Sequence, residues 1–131
     1  MKRVLSVTLA VAAALLMSAA SAAEMASRPP VAHVSVSEIT DHSARIAARI
    51  NPEGSETSYT IWFEEGCVLP TCERAGPYEA RVGVIKLRKG TAVVAVTVHG
   101  LPARTPDFET WVEATNASGT TTTSARGFKT K

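Results

Sequence analysis

The stretch GLPARTPDFETWVEATNASGTTTTSARGFKT, residues 100–130, reads as two β-strands joined by a short turn. Phe108, Thr110, Val112 and Ala114 alternate with Glu109, Trp111, Glu113 and Thr115. That period of two is what a strand shows when one face is buried and the other is wet. Asn116-Ala117-Ser118-Gly119 supplies the reversal, because Asn and Gly tolerate the backbone angles of tight turns. The threonines 120–123 then lead into a last strand that ends near Phe128.

Working outward, the same period recurs. Val34 and Val36 alternate with serines, and Ala44, Ile46, Ala48 and Ile50 alternate with Ser43, Arg45, Ala47 and Arg49. After the turn Asn51-Pro52-Glu53-Gly54-Ser55, Tyr59, Ile61 and Phe63 share one face, and Ser58, Thr60 and Trp62 the other. In residues 79–89, Val82 and Val84 fit one register while Ile85 and Leu87 fit the other, which predicts a bulge near Gly83. Val94, Val96 and Val98 form one face of a further strand. Short strands between turn clusters, with no helical period, predict an all-β antiparallel sandwich of about seven strands over residues 31–131.

The N-terminus has a different character. Lys2 and Arg3 precede an apolar run, Val4 to Met17, and then small residues through Ala23. This is the pattern of a secretory signal peptide, residues 1–23, with cleavage after Ala22 or Ala23. Residues 24–30 read as a flexible lead-in. The chain has 14 Lys and Arg against 12 Asp and Glu, and Lys2 and Arg3 account for the excess. A mature chain with no net charge gives no general reason to bind nucleic acid or an anionic membrane. The expected product is a monomer, free in the periplasm or outside the cell, with no membrane insertion after cleavage.

Asn51 to Tyr59 resembles the NPxGxxTxY stretch of bacterial fibronectin type III-like repeats. Gly100-Leu101-Pro102 followed by Val112, Ala114, Asn116 and Gly119, and the closing Phe128-Lys129-Thr130, resemble further parts of that pattern. The resemblance covers roughly residues 31 to 130 and implies a fibronectin type III or immunoglobulin-like sandwich. It also implies that the third and sixth strands are neighbours, so that Trp62 and Trp111 project side by side from one outer face. Arg126 is a further candidate for that patch. Phe108 occupies the family's tyrosine corner without the hydroxyl, whose hydrogen bond would contribute about 0.5–1.5 kcal/mol. An insert bearing Cys67 and Cys72 also departs from the common repeat.

In an exported chain, Cys67 and Cys72 are expected to form a disulfide. Closing so short a loop contributes about 2 kcal/mol in the chain-entropy account and mainly fixes the loop tip. Such a loop could offer Val68 or Leu69 to a protease, which makes an enzyme inhibitor one alternative function. A small hydrolase with an unrecognised site is another. Yet Asp41-His42-Ser43 holds triad residue types as consecutive side chains, which cannot form the relay. His33 and His99 sit in strands, and no metal-ligand or phosphate-loop spacing appears. Asn116-Ala117-Ser118 is formally a glycosylation sequon on a turn. The expectation is therefore a non-catalytic module without cofactor or metal. It would bind a protein or a cell-envelope glycan, with Trp62 and Trp111 either its landing face or a cross-strand pair packed on itself and on the Arg or Lys stems around it.

Overall fold

The computed structural model describes residues 28–66, 74–86 and 89–131. The expected signal peptide, the Cys67–Cys72 pair, Val68, Leu69 and Leu87 lie outside the described residues. Eight strands are described: β1 Val31–Ser37, β2 Ser43–Asn51, β3 Thr57–Glu64, β4 Tyr78–Ile85, β5 Ala92–His99, β6 Phe108–Asn116, β7 Gly119–Thr122 and β8 Arg126–Phe128. They form two antiparallel sheets, a β-sandwich. One has the order β1-β2-β5, and the other β4-β3-β6-β7 with β8 also on β6.

The core follows from the alternation. Ala44, Ile46, Ala48 and Ile50 of β2 face Tyr59, Ile61 and Phe63 of β3 and Val112 and Ala114 of β6 across the sandwich, all buried. Val34, Val36, Val94, Val96 and Val98 pack against them from β1 and β5. Packing is densest where three phenylalanines meet. The Phe108 ring lies 5.8 Å from Phe63 and 5.1 Å from Phe128, and Phe63 and Phe128 are 6.3 Å apart. Such stacked rings add about 0.5–1.5 kcal/mol per pair beyond the area they bury.

Two expectations are corrected in detail. The final strand is broken: Glu113–Asn116 of β6 pair with β7, and Phe108–Thr110 pair with β8. Between them Thr123 takes over the ladder, its amide donating to Val112 O and its Oγ1 accepting from Val112 N. The bulge in β4 is at Ala80, not near Gly83, because Ile61 pairs with Arg81 while the next residue, Trp62, pairs with Glu79. Gly83 has another role. It lies opposite Tyr59, whose ring crosses it so closely that a Cβ there would sit 2.6 Å from the hydroxyl.

The corner before β6 is closed without a tyrosine. Thr130 Oγ1 donates to Pro102 O and accepts from Thr105 N. Thr130 N donates to Thr105 O, and Lys131 N to Thr40 O. His42 Nδ1 donates to Leu101 O at 2.8 Å. At the opposite end Asn116, buried, donates to Arg28 O and Pro52 O and accepts from Ser118 N. Its amide is thus committed to the fold, which argues against use of the sequon. Arg28 to Pro30, expected as the end of a flexible lead-in, are tied down: Pro30 is buried, and its carbonyl accepts from Thr121 Oγ1.

Candidate functional site

The outer face of the five-stranded sheet is built by the residues left over from the core. On β3 these are Ser58, Thr60, Trp62 and Glu64, and on β6 Glu109, Trp111, Glu113 and Thr115. The register sets Trp62 directly opposite Trp111, and the indoles stack with centroids 6.5 Å apart and planes 18° from parallel. Both are half-buried. Trp62 Nε1 is the single buried side-chain nitrogen or oxygen among the described residues that has no hydrogen-bond partner. An unmade bond of this kind costs about 1–3 kcal/mol, so the indole is not placed there for its N–H.

Carboxylates surround the pair. Glu64 pairs with Glu109 across the ladder, Glu79 lies opposite Trp62 on β4, and Glu113 is two residues from Trp111. Arg74 draws the first two together, with Nη1 3.5 Å from Glu109 and 4.0 Å from Glu64. Glu79 and Glu113 are exposed and make no ion pair among the described residues. Beyond Thr60 the apolar surface continues over Val82 and Val84, 60% and 53% exposed. Chemically, the face offers flat apolar rings beside hydrogen-bond acceptors.

Arg126 is not part of this face. It pairs with Thr110, whose side chain is fully buried, so Arg126 has the phase opposite to Trp111 and leans towards β1. At the other candidate, Ser43 Oγ bonds Thr40 Oγ1 at 2.7 Å while His42 Nε2 lies 3.6 Å from Asp41. The three triad residue types are therefore engaged separately. Nothing in the sequence pattern marked Glu79 as a neighbour of Trp62, because the Ala80 bulge decides that pairing.

No protein-family model matches the chain, and no curated protein matches it. Among solved structures it is similar to the sensor domain of the anti-sigma factor RsgI4 of Pseudobacteroides cellulosolvens. The shorter form of that domain shares 21% identity, with 79% of this chain and 96% of that one covered and a TM-score of 0.57. The longer form shares 19% identity, with 76% and 89% covered and a TM-score of 0.48. The likeness is one of fold, and it rests on the shorter form. Fold and face together define a two-sheet, all-β domain with an aromatic, acid-rimmed outer surface.

Proposed function

We propose that this chain is an exported, non-catalytic recognition domain of fibronectin type III-like architecture. Its ligand is a cell-envelope glycan that lands on Trp62 and Trp111. The single observation that carries the reading is the stacked indole pair on the outward phase of adjacent strands, rimmed by carboxylates. A sugar ring has one face of C–H groups, which packs on an indole, and an equator of hydroxyls, which donate to Glu79 and Glu113. The sheet order β1-β2-β5 against β4-β3-β6-β7 supports the architecture. The composition of residues 1–23 supports export, and among the described residues no helix is long and apolar enough to cross a membrane. The fold shared with a sensor domain agrees with a binding role.

A protein partner is the second reading. Exposed Val82 and Val84 favour it, since they extend the apolar area beyond what one sugar ring covers. The test is binding of purified envelope glycans by isothermal calorimetry, comparing the native chain with Trp62→Ser/Trp111→Ser. Removing an aromatic anchor pair should cost about 2 kcal/mol or more, roughly thirtyfold in affinity, with an unchanged far-UV spectrum. Equal binding by the double variant would remove this face from consideration. No glycan binding by the native chain, with capture of an envelope protein by the native chain and not by the double variant, would support the second reading.

A further inference from the structure

The opposite side of the molecule has a different chemistry. Two clefts of about 350 and 330 Å³ lie side by side there and share one lining residue, His33 of β1. Arg126 and Ser124 line the first, in the gap that the broken final strand leaves beside β1. Arg49, Asn51 and Thr91 line the second. His33 pairs directly with Arg49, so the two clefts form one track crossing β1. Arg49, Arg126 and His33 are exposed. None of them makes an ion pair among the described residues, and no carboxylate lines either cleft.

We infer that this track binds an acidic polysaccharide, with one anionic group held near Arg126 and the next near Arg49. An unpaired guanidinium presents a fork of donors that matches sulfate, phosphate or carboxylate oxygens. Ser124, Asn51 and Thr91 add neutral partners suited to sugar hydroxyls. The lining has no Trp, Tyr or Phe ring to serve as a stacking platform for unpaired bases, which disfavours single-stranded nucleic acid. It also has no Trp or Tyr of the kind that anchors protein interfaces. The site is independent of the tryptophan face, since Arg126 and Trp111 are on opposite phases of their sheet.

The experiment uses dextran sulfate as the probe and uncharged dextran as its control, in affinity electrophoresis of the full exported chain at several salt concentrations. Dextran sulfate should retard the native chain, and retardation should weaken with salt. Arg49→Glu/Arg126→Glu should weaken it at least tenfold, while Arg104→Glu/Lys131→Glu, off this track, and Trp62→Ser/Trp111→Ser leave it unchanged. Arg49→Gln and Arg126→Gln singly, each with a native far-UV spectrum, should give intermediate losses. No retardation at low salt, equal loss in the Arg104/Lys131 variant, or tighter binding of an oligonucleotide than of dextran sulfate would each overturn the inference.

Discussion

At the level of single residues, the tryptophan pair separates stability from recognition. Trp62 carries a buried N–H with no partner among the described residues, whereas the Trp111 nitrogen is not in that position. Trp62→Phe keeps most of the ring and removes the orphan donor. It should therefore cost less stability than Trp111→Phe, by about 1 kcal/mol or more in urea unfolding. A ligand lost from both variants alike would then report the face and not the fold. Gly83 makes the converse point. Its missing side chain is what lets Tyr59 lie across β4, so Gly83→Ala should displace the ring and lower stability by about 1–3 kcal/mol. Thermal unfolding followed by calorimetry would measure it.

At the level of elements, the corner between β5 and β6 shows why a missing group need not leave a gap. The Leu101, Pro102, Ala103 and Thr105 carbonyls already accept from His42, Thr130, Thr105 Oγ1 and Thr130 N. A hydroxyl restored by Phe108→Tyr would enter a fully buried site in which the ring is stacked against Phe63 and Phe128. It should therefore destabilise by about 1–3 kcal/mol instead of contributing a bond, a shift readable in the urea midpoint. From the sequence, the absent hydroxyl was visible and its replacement by Thr130 was not, because that bond joins residues 28 apart through a loop without a period. The phases of β2, β3 and β6 were legible, since alternation leaves one register that buries their Ile, Val, Tyr and Phe side chains and turns both tryptophans outward. For β4, the bulge expected near Gly83 was misplaced: Val82, Val84 and Ile85 lie in one unbroken register, the valines outward and Ile85 inward, and nothing in their pattern marks the break at Ala80. Arg126 was unassignable to a face, because the interruption at 123–125 breaks any count from β7 into β8.

At the scale of the whole domain, residues 24–131 carry an even charge count that conceals a division. One outer face presents Glu64, Glu79, Glu109 and Glu113, and the other presents His33, Arg45 and Arg49. Such a particle approaches a charged surface in a preferred orientation although its net charge gives no attraction. The double Trp variant and the Arg49/Arg126 variant should accordingly lose different ligands, and a chain carrying both should lose both.

The margins of the two sheets carry a last consequence. An open strand edge is a template on which a second chain can add, and proteins blunt such edges with kinks, charges and short segments. Here β4 is kinked at Ala80, the carbonyl of Ala95 on β5 is occupied by the Arg81 guanidinium, and the terminal strand is cut into pieces of four and three residues. The same irregularities that make the side chains hard to phase thus interrupt the backbone on which a second copy would add. Deleting Ala80 would straighten β4 into an unbroken ladder from Tyr78 to Ile85. Light scattering at rising concentration should then show aggregation at temperatures well below the melting point, where the native chain stays clear.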